Sequence, residues 1–302
     1  MDMIKKAGVI ASVILIGGAT VHTVNLNTDS SEKEVTAKET VNYFPTAIDF
    51  AGEPVPLHIA DVYERLDREL LVNANLHAST QLVIKRANRA FPIIEPILKK
   101  YGVPDDFKYL AVIESGLVNA VSPAGARGVW QFMPETGRER GLEITDQVDE
   151  RYHLEKSTEA ACRYLLDAKQ RLGSWTMAAA SYNGGVAGVT RQVTFQGEEN
   201  YYDLLLTEET SRYVFRILAL KEIMQNPLKY KFTLLPSDLY TLLPEKKVEV
   251  SSSVPDLAVF AKEQGINYKI LKIHNPWLRD RKLDVKAGST YTLDIPLQGY
   301  SK

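Results

Sequence analysis

The sequence contains one cysteine, Cys162, and only five histidines among its 302 residues. A disulfide within the chain is therefore excluded, and the histidines lack the regular spacing of a metal-binding motif. A glycine-rich phosphate-binding loop is missing as well. We expect neither a metal centre nor a bound cofactor, and we interpret Cys162 as a small buried apolar residue.

Neither sign of charge is in excess. The chain has 36 basic and 38 acidic residues and a formal net charge of −2. Proteins that bind nucleic acid usually carry an excess of lysine and arginine that neutralises phosphates. Nucleic acid is therefore excluded as an expected partner, and we expect the chain to be a monomer.

The N-terminal segment predicts that the protein is located outside the cytoplasm. Lys5 and Lys6 precede an apolar run at residues 7–20, as in a secretory signal. The run is short for a spanning helix of about 20 residues, yet no clear cleavage site follows it. Residues 1–26 are thus either a signal peptide or a membrane anchor, and both indicate the periplasm or cell envelope. Residues 27–45 are polar and aromatic-poor, which is typical of a disordered linker.

Helical periodicity dominates residues 46–232. Apolar residues recur at helical spacing at Val62, Leu66, Leu70 and Leu71, and again at Leu82, Val83, Ala87 and Ala90. Pro92 and Pro96 then predict turns or helix starts, and a further helix is expected at residues 155–172. We predict a mainly α body whose roughly 185 residues can form one substantial core without help from the rest of the chain.

The pattern changes after residue 232. Residues 233–247 contain Pro236 and Pro244 and are predicted to be a linker. Residues 248–298 predict a small α+β module of two strands around two helical segments. The strands are expected at 248–250 and 291–296, and the helical segments at 254–264 and 269–273.

Glu114 is the strongest candidate for chemistry. In a helix that begins near residue 105, Glu114 shares one face with the apolar residues Phe107 and Leu110. Burial disfavours a charged carboxylate, so we expect a raised pKa, which suits a general acid. The alternative is a purely structural ion pair with an arginine such as Arg127 or Arg212.

Four short motifs follow one another in a characteristic order. They are Glu-Ser at 114–115, Ser-Pro-Ala-Gly-Ala-Arg-Gly-Val-Trp-Gln-Phe-Met-Pro at 122–134, Ala-Ala-Ser-Tyr-Asn-Gly-Gly at 179–185 and Glu-Thr-Ser-Arg-Tyr-Val at 209–214. This series resembles the lytic transglycosylases of the goose-lysozyme-like superfamily, of the membrane-bound murein transglycosylase D type. The resemblance implies a lysozyme-like SLT catalytic domain at 46–232. Residues 248–298 resemble a degenerate LysM module, since the usual glycine-rich start is missing.

The resemblance also implies roles for particular residues. Glu114 would act first as acid and then as base on the bond between MurNAc and GlcNAc of peptidoglycan glycan strands, leaving anhydromuramoyl ends without hydrolysis. The residues implied to bind the substrate are Ser115, Gln131, Tyr182, Asn183, Glu209 and Tyr213. Three alternatives stay open at this point: a hydrolytic muramidase of the same fold, a peptidoglycan-binding protein without activity, and a structural scaffold that needs neither the cleft nor Glu114.

Overall fold

The computed structural model describes residues 43–299. The predicted signal peptide or anchor at 1–26 and the predicted linker as far as residue 42 lie outside this part of the chain. The helices of the described residues are α1 Ala60–Asn75, α2 His77–Tyr101, α3 Lys108–Ser115, α4 Pro134–Glu139, α5 Leu154–Leu172, α6 Trp175–Gly184, α7 Val186–Gln196, α8 Glu208–Gln225, α9 Leu257–Glu263 and α10 Tyr268–His274. As predicted, the fold is mainly α.

Two antiparallel pairs of strands accompany these helices in residues 43–299. β1 (Asp49–Phe50) pairs with β2 (Glu53–Pro54) near the start of the helical body. β3 (Glu245–Val250) pairs with β4 (Tyr291–Pro296), and α9 and α10 lie between them in the sequence. This second unit is the predicted α+β module, and β3 begins inside the segment predicted as a linker.

α8 occupies the centre of the helical body. It packs against α1, α3 and α6. Its residues from Tyr213 to Ile223 are buried on nearly every side, apart from Arg216. A helix that is buried on nearly every side is a core helix, and its position here fixes where α3 and α6 place their side chains.

α2 corrects one expectation from the sequence. It is a single helix that continues through Pro92 and Pro96 instead of turning there. A proline inside a helix removes a hydrogen bond and costs about 3 kcal/mol. Ile94 and Leu98, which follow the two prolines, are completely buried. Their burial against the rest of the core is worth about 1.5–3 kcal/mol each, which offsets much of that cost.

The start of α6 is stabilised by a residue that precedes it. Ser174 precedes the helix, and its hydroxyl accepts a hydrogen bond from the Met177 N–H at 3.1 Å. Such a serine N-cap typically stabilises a helix by about 1 kcal/mol. Cys162 of α5 is fully buried, as predicted. No helix within residues 43–299 is both long and apolar enough to cross a membrane.

Candidate active site

Glu114 lies in the last turn of α3. The residues before it, Tyr109 to Ile113, are buried. Gly116 ends the helix with a φ of 60°, and its N–H donates to the Val112 carbonyl at 2.8 Å. Glycine adopts this left-handed conformation at little cost. The helix end thereby brings the Glu114 carboxyl to the edge of the core, where it is partly exposed.

Tyr213 of α8 is the direct partner of this carboxyl group. The Tyr213 hydroxyl donates a hydrogen bond to Oε1 of Glu114, and the tyrosine is only 1% exposed. Desolvation raises the pKa of Glu114, while the Tyr213 hydrogen bond and the positive charge of Arg216 lower it, and the negative charge of Glu209 raises it. Desolvation is the largest of these effects, so the pKa is raised above its usual range, as the apolar face predicted.

The structural ion-pair alternative is wrong for both arginines that the sequence suggested. Arg212 donates from Nε to Glu69 at 2.7 Å. Arg127 lies 3.5 Å from Asp149. Glu114 therefore makes its close contact with a neutral hydroxyl, which leaves its carboxyl group able to hold a proton.

Residues 120–133, which we call the glycine loop, form one wall beside Glu114. Gly125 and Gly128 both have positive φ, of 91° and 83°. The Gly128 N–H donates to the Ala120 carbonyl at 3.0 Å, which folds the loop back on itself. A Cβ atom at Gly128 would lie 1.8 Å from the Arg151 carbonyl oxygen, so only glycine fits there.

Ser115 and Tyr182, two of the predicted substrate-binding residues, hold the glycine loop. The Ser115 hydroxyl donates to the Val129 carbonyl at 2.8 Å, and the Tyr182 hydroxyl donates to the Trp130 carbonyl, also at 2.8 Å. Each bond fixes a neighbouring backbone unit of the loop relative to α3 or α6. Their donors are thus used inside the protein, and both side chains position this wall.

Hydrogen bonds to the glycine loop also hold the side chain of Gln131. Its φ is 50°, which is uncommon for a residue other than glycine. Nε2 donates to the Gly128 carbonyl at 2.7 Å and to the Ala120 carbonyl at 3.1 Å. These bonds orient the amide, while its Oε1 accepts no hydrogen bond from residues 43–299. Oε1 is therefore available to accept a bond from a hydroxyl or N–H group of a ligand.

Asn183 and Glu209 lie next to this centre. They line a cavity of about 500 Å³ between α6, α7 and the start of α8. Asn183 Oδ1 accepts a hydrogen bond from the Thr210 hydroxyl at 2.8 Å. Glu209 is exposed, yet its charge reaches Glu114. All seven residues predicted for the site therefore belong to one region, with Glu114, Ser115, Gln131, Tyr182 and Tyr213 around the glycine loop.

Arg216 is a site residue that the sequence analysis missed. Its Nη2 donates to the Ile113 carbonyl at 3.1 Å, next to Glu114 in α3. It also supplies the positive charge that favours the ionised carboxylate. Arg216 follows Tyr213 by three positions on α8, so both project from one face of that helix. That spacing was a signal that could have identified it.

Tyr182→Phe is expected to lower turnover by less than about tenfold. A hydrogen bond between neutral groups is worth about 0.5–1.5 kcal/mol, and the Tyr182 hydroxyl bonds to a neutral carbonyl. If the Tyr182 hydroxyl were bonded to the Glu114 carboxylate instead, we would expect a larger loss of turnover. Steady-state kinetics and a thermal melt of the same variant test this. A loss above about 100-fold in folded enzyme would contradict a purely loop-holding role.

The described helical body thus holds a desolvated glutamate at a helix end, bonded to a buried tyrosine and flanked by a glycine loop, an environment in which a carboxyl group is able to hold and release a proton. Comparison with known families agrees. Residues 91–205 match the transglycosylase SLT domain, and residues 246–299 match the soluble lytic transglycosylase C-terminal LysM-like domain. Residues 91–205 and 246–299 are therefore similar to these two domain families, in the order that the motifs predicted.

Individual relatives point the same way. Over 206 residues the chain is 32% identical to the membrane-bound lytic murein transglycosylase D of Escherichia coli K12, an alignment that covers 65% of this chain and 44% of the relative. It is 29% identical over 123 residues to the membrane-bound lytic murein transglycosylase F of Salmonella typhi, covering 37% of this chain and 24% of the relative. These alignments span less than half the length of either relative.

Proposed function

We propose that this protein is a peptidoglycan lytic transglycosylase that cleaves the bond between MurNAc and GlcNAc without water. The observation that carries the proposal is the Glu114 carboxyl, desolvated at a helix end and hydrogen-bonded to Tyr213, beside a loop that lies in the region similar to the SLT domain. Desolvation favours the protonated form that a general acid needs. The LysM-like domain supports peptidoglycan as the substrate. The relatives' names support a place in the cell envelope.

In the proposed reaction, the protonated Glu114 gives its proton to the bridging glycosidic oxygen as the bond to C1 of MurNAc breaks. The N-acetyl oxygen of the substrate stabilises the positive charge at C1, so a second protein carboxylate is not required. Glu114, now ionised, removes the proton from the C6 hydroxyl of the same MurNAc. The C6 oxygen then bonds to C1 and forms the anhydro ring.

The surroundings of Glu114 suit both halves of this cycle. Desolvation favours the protonated acid before cleavage. The Tyr213 hydrogen bond and the Arg216 charge favour the carboxylate that forms afterwards. Because these effects oppose each other, a proton can leave Glu114 and return to it within one turnover. Acid–base assistance of this kind contributes about 10² to 10⁴ in rate.

The mass of the products tests the proposal. Digestion of purified sacculi should release muropeptides with anhydromuramoyl ends, which are lighter by one water than the products of hydrolysis. Products with reducing MurNAc ends would indicate a hydrolytic muramidase instead. Binding to sacculi without any release of fragments would indicate a peptidoglycan-binding protein.

The pH profile tests whether Glu114 is the acid, because two variants should shift the profile in opposite directions. If the reaction needs protonated Glu114, kcat/KM falls as the pH rises through the Glu114 pKa. Tyr213→Phe removes a group that lowers this pKa, so the falling limb should move to higher pH. Glu209→Gln removes a charge that raises it, so the limb should move to lower pH. Limbs that stay in place, or that move in the same direction, would rule out Glu114 as the titrating group.

A further inference from the structure

The C-terminal module is bound to the catalytic body through backbone hydrogen bonds. The Asp149 N–H donates to the Trp277 carbonyl at 2.9 Å, and the Arg279 N–H donates to the Gln147 carbonyl at 2.7 Å. Residues 143–153, which we call the junction segment, lie between α4 and α5 of the body. Because backbone bonds fix both partners closely, this contact is far more specific than a flexible tether would allow.

Side chains of the junction segment also belong to the core of the module. Val148 and Tyr152 are 1% and 5% exposed. They are buried in one cluster with module residues, which include Leu257, Leu271, Trp277, Leu278, Leu283 and Leu293. The main core of the body contains no residue beyond Phe232. The junction segment is therefore the part of the body whose position depends on the module.

Arg151 connects the junction segment to the glycine loop. Its guanidinium donates to both carboxylate oxygens of Asp149, at 2.9 and 2.7 Å. Nη1 donates to the carbonyls of Gly125 and Phe132, each at 3.2 Å. Arg151 is 3% exposed and Asp149 is 2% exposed. A buried charged fork of this kind is rigid, because each donor that moves away from its acceptor loses a charge-assisted hydrogen bond.

The backbone of Arg151 also touches the loop directly. Its carbonyl oxygen occupies the space where a Cβ atom of Gly128 would lie. The loop is thus held at Gly125, Gly128 and Phe132 by one residue. Val129 follows Gly128 directly, and its carbonyl accepts the hydrogen bond from Ser115, the neighbour of Glu114.

We propose that the C-terminal module supports the glycine loop of the active site through Asp149 and Arg151, with Arg151 as a positioning residue. The module fixes the junction segment at Asp149, whose carboxylate orients Arg151, and Arg151 fixes the loop. The effect on turnover rests on the proposed transglycosylase function. The effect on the order of the loop does not.

Hydrogen exchange of the full chain tests the proposal. Arg151→Lys keeps the charge but has only three N–H donors on one atom, in place of the planar guanidinium that makes four hydrogen bonds here. Trp277→Ala disturbs the module without touching the loop. In both variants, amides of residues 120–133 should exchange about tenfold faster or more, while those of α8 stay unchanged. Val259→Ala, on the exposed side of α9, is the matched control and should alter neither segment.

Loop exchange within about twofold of the unchanged protein in both variants would overturn the proposal. Unchanged α8 exchange shows that each variant is folded, so a general loss of stability cannot imitate the result. Turnover per folded enzyme should also fall about tenfold or more in Arg151→Lys. If the unchanged protein releases no glycan product but its loop responds as expected, the proposed function fails and the support of the loop stands.

Discussion

Glu114→Gln is expected to lower the turnover of peptidoglycan glycan by a factor of about 100 or more. The amide has nearly the same shape as the carboxyl group and keeps an oxygen that accepts the Tyr213 hydrogen bond. It carries no transferable acidic proton, so the first step of the cycle loses its acid. The measurement is the amount of anhydromuramoyl product released from purified sacculi per mole of folded protein.

Glu139→Gln provides the matched control, because Glu139 is an exposed glutamate on α4. The control should keep the activity of the unchanged chain. Glu114→Gln should keep its melting temperature and its sedimentation with sacculi, since the cleft is intact. If Glu114→Gln retains more than about a tenth of the activity, Glu114 is not the general acid.

Removal of the C-terminal module after residue 236 is expected to lower the melting temperature of the body by roughly 10–20 °C. The main core would remain, because its residues all precede residue 233. Val148 and Tyr152 would become exposed, at a cost of about 1.5–3 kcal/mol for each side chain. For a body of this size, 1 kcal/mol corresponds to about 2–4 °C.

The sequence alone predicted that this body would form its core without help from the module. The shared cluster changes that expectation to a folded but weakened body with a less ordered glycine loop. Calorimetry of the truncated and full chains measures the difference. Val259→Ala in the full chain should shift the melting temperature by no more than about 2 °C, since it alters one exposed side chain. A truncated body that melts within about 3 °C of the full chain would show that the junction contributes little.

The local part of the active site could be predicted from the sequence. Glu114 lies on an apolar helical face, and that face alone indicated its burial and raised pKa. Ser174 marked the start of α6, and the alternating residues 291–296 marked β4. These features depend on periodicity and on capping, which act within one or two turns of the chain.

The partners of these residues could not be predicted in the same way. Tyr213 is 99 positions from Glu114, and Tyr182 is 52 positions from Trp130. The motifs predicted that these residues share one cleft, but they did not predict which atoms each side chain would contact. Whether a hydroxyl meets a carboxylate or a backbone carbonyl depends on how α3 and α6 pack against α8. Packing against α5 keeps α2 helical through Pro92, where local propensity predicts a break.

The sequence by itself determined the helical body, the α+β module and the single acid on an apolar helix face, because each is a property of neighbouring residues. Only the tertiary structure decided that Arg151 bridges the module and the glycine loop. In the sequence Arg151 is one of many arginines, with no pattern around it. Its role arises because packing buries it beside Asp149 and two loop carbonyls, where a charged group must find partners.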